Sequence, residues 1–258
     1  MTYTVKPISL GFLEADQSGF TYMAFPGVPL VLEVAYFLIR NGPKTVLVDT
    51  GSWAELMANY WPGKGEDFQT FEESLKKEGM APDDVDIIIT THLHHDHVGN
   101  HYKCKNAEVY VQEEEWAFAG APHPLQAVYY PKDMMDQIGK MKLRLIRGDY
   151  ELFPGLRILH TPGHTPGTQS VCVDTEQGKT VIAGQCSLYQ TFEEPRKVLP
   201  EGHPYRDWEV FTQSIATDMN QAYWSCVRVK RMADVLLPCH GPGFDERTNK
   251  YLPESMRK

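Results

Sequence analysis

The chain has 258 residues, 42% of them hydrophobic and 23% charged, the composition of a globular protein with room for a sizeable core. Its net charge of −9 argues against nucleic acid and anionic membranes as partners and favours a neutral small-molecule substrate. No apolar stretch reaches the roughly 18 residues of a membrane-spanning helix, and the N-terminus lacks the pattern of a secretory signal. Five cysteines without CxxC spacing (Cys104, Cys172, Cys186, Cys226 and Cys239) read as reduced thiols of a cytoplasmic protein.

No repeat, low-complexity tract or linker divides residues 1–258, so a single domain is expected. The apolar runs at 30–39 and 44–51, separated by "RNGP", predict a hairpin. The stretch "EDFQTFEESLKKEG" predicts a helix, with Phe68, Phe71 and Leu75 spaced three and four apart and Gly79 as its stop. Strands are then expected in "DVDIIITT", "AEVYVQ", "LRILHTPG", "TQSVCVD", "KTVIAGQC" and "ADVLLPCHG", with a long helix around 207–232 before the last of them. Strands mixed with helices suggest a layered α/β sandwich, its sheets covered outside by helices.

The sequence "TTHLHHDHVGN" follows the apolar run "DIII" and carries His92, His94, His95, Asp96 and His97. Extended residues at i and i+2 point the same way, so His92 and His94 share one side. A turn into a helix would swing Asp96 and His97 to the other side of the same pocket and leave His95 pointing away. Two further histidines sit in Pro/Gly turns after apolar strands, His164 in "HTPGHTPG" and His240 in "LLPCHGPG". Tight turns fix a ligand's direction. Imidazole and carboxylate at this density suit zinc, with iron and manganese as alternatives. His101, His123, His160 and His203 lack this context and read as structural or surface residues.

The combination of "HLHHDH", "TPGHTPG" with His164 and "CHG" with His240 resembles the metallo-β-lactamase superfamily, and "VLVDTG" resembles its early strand, with Asp49 bracing the metal loop. The resemblance implies an αββα sandwich of two mixed sheets flanked by helices. "PLVLEVAYFLI", "TTHLHHDHVGN" and "HTPGHTPGTQS" are most similar to the N-acyl-homoserine lactonase-like branch. That branch implies two zinc ions, one held by His92, His94 and His164, the other by Asp96, His97 and His240. After "TVIAG" it carries an aspartate bridging both metals; here the residue is Gln185, which is expected to weaken one site. Its substrate-facing tyrosine would fall at Leu188, and Tyr189 stands one position late.

The expected activity is hydrolysis of a lactone or related ester by a metal-bound hydroxide, with Asp96 handling protons and Tyr189 assisting at the oxyanion. Three alternatives remain open: a thioesterase or other ester hydrolase on the same site, an iron-dependent thiol dioxygenase, or a metal-depleted binding relative. The aromatic segments 20–30, 53–63 and 115–131 are expected to wall the cleft, or to serve a homodimer contact.

Overall fold

The computed structural model describes residues 2–60, 63–241, 244–245 and 250–251. In chain order it contains β1 (Thr4–Asp16), β2 (Pro29–Arg40), β3 (Val46–Val48), α1 (Ala54–Ala58), β4 (Gly65–Asp67), α2 (Phe71–Lys77), β5 (Ile87–Ile89) and α3 (His95–Val98). Next come β6 (Glu108–Gln112), α4 (Glu113–Gly120), α5 (Lys132–Ile138), β7 (Lys142–Ile146), β8 (Tyr150–Phe153) and β9 (Leu156–His160). The remainder is β10 (Gln169–Thr175), β11 (Gly178–Ala183), α6 (Met219–Met232), β12 (Val235–Pro238), β13 (Phe244–Asp245) and β14 (Lys250–Tyr251). Two sheets form the body, one of seven strands in the order β4-β1-β2-β3-β5-β6-β7 and one of five in the order β12-β11-β10-β9-β8, while β13 pairs with β14. Both mix parallel and antiparallel pairs.

The period of two along each strand decides which layer a side chain enters. Val46, Val48, Ile87 and Ile89 face the other sheet and pack with Ile158, Val171, Val173 and Ile182. The intervening Leu47 and Ile88 point outward, beneath Phe71 and Leu75 of α2 and Met134, Met135 and Ile138 of α5. On the second sheet Cys172 and Val181 turn outward to meet Cys226, Val227 and Val229 of α6. This αββα layering is the expected fold class, and its hairpin β2–β3 is antiparallel as the sequence predicts.

Three local expectations are corrected. The helix expected in "EDFQTFEESLKKEG" is α2 and begins only at Phe71, where Thr70 and Glu73 form a reciprocal capping box, while Gly65–Asp67 instead pairs as edge strand β4 with β1. Helix α6 begins at Met219, not near 207, because Asp218 accepts from the Gln221 amide as its N-cap and Thr212 adopts a left-handed φ of 60°. The thirteen-residue β1 was not anticipated. Pro7 and Gly11 interrupt its pattern, yet the register shift between Ser9 and Gly11 absorbs the irregularity. The short β4 pairs only with residues 11–13, so Pro7, lacking an N–H, interrupts no ladder on that side.

Candidate metal centre

The parallel strands β3 and β5 end side by side, and the chain leaving β5 carries the histidines. Asp49, just past β3, adopts a left-handed φ of 60°, which aims its carboxylate under that loop. Its Oδ1 accepts from the Thr91 amide at 2.7 Å, and its Oδ2 accepts from the Thr91 hydroxyl and from His97 Nδ1, each at 2.7 Å. Asp49 therefore braces the loop as expected. With Nδ1 committed as donor, His97 presents Nε2, which is buried and has no partner.

The same device recurs around the pocket. His164 Nδ1 donates to the Ile215 carbonyl at 2.6 Å, and His240 Nδ1 to the Glu33 carbonyl at 3.1 Å. The Thr91 hydroxyl proton goes to Asp49, so His92 Nδ1 donates to Thr91 Oγ1 at 3.1 Å. Lone pairs thus remain on Nε2 of His92 and His164, and they face each other across 3.1 Å. His94 Nε2 is likewise buried without a partner. Two lone pairs at this separation repel unless a proton or cation lies between them, and tetrahedral zinc with Zn–N bonds of about 2.0 Å sets its donors about 3.3 Å apart.

Among the described residues, two clusters bring potential ligand atoms within 4.8 Å of one another: His92, His94 and His164, and His97, Cys239 and His240. Asp96 Oδ2 joins the second, 3.5 Å from both His97 Nε2 and His240 Nε2. Burial, reinforced by the neighbouring imidazoles, lowers the pKa of His92 and His94, and burial brings His164 down to about 4. These rings are neutral at pH 7, the form that ligates metal. Burial opposes ionisation of Asp96, but His97, His95 and His240 outweigh it and hold the carboxyl below its ordinary range. The donor set therefore fits a pair of cations.

Backbone space is equally specific. Gly163, before His164, has φ +129°, and a Cβ there would meet the Ala222 amide nitrogen at 2.1 Å. At Gly184, before Gln185, a Cβ would lie 1.8 Å from the Gln169 carbonyl oxygen. Gln185 itself is fully buried; its Oε1 takes the Ser170 hydroxyl at 3.5 Å and its Nε2 has no partner. Tyr189 lies in a 3-10 turn, 37% exposed, lining an outer cleft with Phe25, Phe192 and Val198.

The histidine pocket is walled instead by Leu13, Phe20, Leu32, Tyr129, Cys186 and Ile215. Tyr129 packs on His94 with ring centroids 4.8 Å apart. Segments 20–30 and 115–131 thus each contribute, through Phe20 and Tyr129. From the segment 53–63 Tyr60 stacks on His95 at 4.5 Å, while Trp61 and Pro62 lie outside the described residues. His95 does not point away from the cleft; it lines the pocket and is 5% exposed.

One buried support, Glu115, was not anticipated from the sequence, and a second, His101, takes the structural role read for it. Glu115 accepts from the Leu93 amide at 2.9 Å, Tyr130 hydroxyl at 3.0 Å, Thr165 hydroxyl at 2.5 Å and Gly167 amide at 3.2 Å, tying the loop of His92 and His94 to that of His164. His101 is held between Thr50 Oγ1 at 2.8 Å and Thr90 Oγ1 at 2.7 Å, as a structural histidine should be.

Burial, with His97 nearby, pushes the His101 pKa down to about 3. The unfolded value is about 6.5, so the unfolded chain binds a proton that the folded one refuses between these limits. The contribution is intact above about 6.5 and is lost as pH falls towards 3, at about 1.4 kcal/mol per pH unit. Denaturant titrations of the metal-free protein at pH 7 and pH 5 should show wild type losing about 2 kcal/mol more than His101→Gln. Equal losses would show that His101 is not the group responsible.

Residues 30–222 match the family model of the metallo-β-lactamase superfamily. An N-acyl homoserine lactonase of Bacillus thuringiensis is 33% identical over 190 residues, covering 68% of this chain and 72% of the relative. A Xenopus laevis protein named metallo-beta-lactamase domain-containing protein 1 is 31% identical over 206 residues, covering 79% of this chain and 69% of its own. Among solved structures, a quorum-quenching N-acyl homoserine lactone lactonase superposes with TM-score 0.73 at 27% identity, covering 98% of each chain. An N-acyl homoserine lactone hydrolase with N-hexanoyl-L-homoserine bound at its catalytic metal centre gives TM-score 0.71 at 26% identity, again covering 98% of each chain. The sandwich, the two donor clusters at its edge and these matches agree: the chain belongs to the metallo-β-lactamase superfamily.

Proposed function

We propose that this protein is a two-zinc hydrolase that opens the ester ring of a lactone, with N-acyl homoserine lactones as the substrate class. The observation that carries this reading is the pair of buried donor clusters at the floor of an apolar pocket. Names of the relatives support the lactone over other esters. His92, His94 and His164 hold one ion, and Asp96, His97 and His240 the other. When bound, the pair supplies a Lewis acid for the carbonyl and lowers the pKa of a water towards neutrality. Leu13, Phe20, Leu32 and Ile215 line the pocket with apolar surface suited to an acyl chain. Asp96 is the only carboxylate lining it among the described residues, and there it takes the proton of the attacking water and passes it to the leaving alkoxide. Among the described residues no helix is long and apolar enough to cross a membrane, and all five cysteines are free and buried, which suits the reducing cytosol.

Tyr129 is the phenol in this pocket, whereas Tyr189 lines the outer cleft. We assign to Tyr129 the hydrogen bond to the substrate's developing oxyanion that the sequence suggested for Tyr189. Tyr129→Phe is expected to lower kcat by about 10²–10³-fold, in the range of a lost oxyanion donor, with Tyr189→Phe within about twofold of wild type. Steady-state kinetics on a panel of lactones, linear esters and thioesters test both statements. A panel in which thioesters far outrun every lactone would overturn the substrate assignment.

A further inference from the structure

We propose that Cys239 is a thiolate ligand of the second metal position, joining Asp96, His97 and His240. The inference rests on the two-metal reading above and concerns how this chain completes the set that Gln185 leaves short. A carboxylate at residue 185 would give the cation pair a second anionic donor beside Asp96; the neutral amide removes it. An amide oxygen is a weak ligand, an amide nitrogen none, and the Gln185 Oε1 is turned to Ser170. Among the described residues, the second donor cluster offers a replacement negative charge.

Adjacent residues of a strand face opposite ways, which would separate Cys239 from His240. However, β12 ends at Pro238, and both residues lie in the turn beyond it. The alternation therefore no longer applies, and Cys239 Sγ lies within 4.8 Å of ring nitrogens of both His97 and His240. Zinc bonds of about 2.0 Å to nitrogen and 2.3 Å to sulfur put such donors about 3.5 Å apart, so modest closure suffices. Cys239 is 2% exposed, and the His97 Nε2 beside it is buried and makes no hydrogen bond. The thiol donates to the Gln185 carbonyl at 2.6 Å and accepts from the Ser187 amide at 3.5 Å. Metal binding releases the thiol proton to solvent; Sγ then turns from the carbonyl towards the ion, and the Ser187 N–H remains to stabilise the thiolate. Cys186 also lines the pocket, but its sulfur belongs to neither donor cluster.

Cobalt(II) titration of the chelator-stripped full chain tests this. Wild type should develop ligand-field absorption together with an intense near-ultraviolet sulfur-to-cobalt charge-transfer band. Cys186→Ser should retain the band. Cys239→Ser should lose it and bind the second equivalent at least about tenfold more weakly, while the first equivalent still fills the three-histidine position. X-ray absorption of the wild-type zinc protein, which needs no variant to fold, should show a Zn–S shell near about 2.3 Å. Ligand-field absorption for two equivalents without a charge-transfer band or Zn–S shell would overturn Cys239 ligation and leave the metal-pair reading standing. No ligand-field absorption at all would overturn both.

Discussion

His164→Ala is expected to lower kcat/KM for lactone hydrolysis by at least about 10³-fold and to strip one metal equivalent from the protein. The argument begins with the ring's orientation. The Ile215 carbonyl at 2.6 Å holds Nδ1 as donor, so Nε2 faces His92 Nε2 at 3.1 Å as a fixed lone pair. Alanine removes one of three neutral donors, and among the described residues that cluster contains no further ligand. Without that cation one of the two Lewis acids of the proposed pair is lost, together with its share in acidifying the attacking water and polarising the carbonyl. Chelation of wild type should reproduce the loss and lower the melting temperature, because the ions bind only the folded chain. His123→Ala, at an exposed position, serves as the control and should remain within about twofold. Metal analysis beside kinetics decides the matter: full metal content with retained turnover in His164→Ala would remove this histidine from the centre.

The largest expected effect on stability is at Glu115. Its carboxyl is fully buried, and burial raises its pKa although four donors work in the opposite direction. Glu115→Ala leaves the Leu93 and Gly167 amides and the Tyr130 and Thr165 hydroxyls facing a void. An orphaned buried donor costs about 1–3 kcal/mol, and the hydroxyls can partly rotate towards other acceptors. A net loss of about 3–5 kcal/mol is expected, or roughly 10 °C in melting temperature for a chain of this size. Glu115→Gln keeps the volume and one carbonyl acceptor, so it should lose less than half as much. Thermal unfolding of the metal-free forms reads this out. A melting point for Glu115→Ala within about 2 °C of wild type would show that the clamp contributes little.

Legibility in the sequence followed how local each signal is. The β2–β3 hairpin and strands β5, β6 and β9 to β12 announce themselves as apolar runs between turns. Strands β7 and β8 escaped notice because they lie at sheet edges and carry exposed charges such as Lys142, Arg144 and Glu151. The histidine motifs were readable because each sits in a few consecutive residues after a strand. Glu115 was not, since its partner Thr165 lies 50 residues away and a buried glutamate looks like any other in "QEEEW". Tyr129 and Tyr189 show the same limit from the other side. The place of Tyr189 in the motif suggested the pocket, but the 3-10 turn directs it outward, and a tyrosine 60 positions earlier fills the wall. Cys239 depended on where β12 stops, a boundary that an apolar pattern leaves loose by several residues.

The donors of each cluster come from both sheets: His92 to His97 leave the seven-stranded one, while His164 and His240 leave the five-stranded one. The centre is therefore a caliper for the spacing between the two layers. Metal–ligand bonds tolerate errors of a few tenths of an ångström, whereas a repacked core can relax by more than that without unfolding. Substitutions such as Val46→Ala or Val173→Ala, in the inter-sheet core and not themselves among the donors, are accordingly expected to register first as weaker metal retention. Metal content measured at temperatures well below melting detects them before any loss of secondary structure, so the faithful fit of the interior is read out as chemistry at the rim.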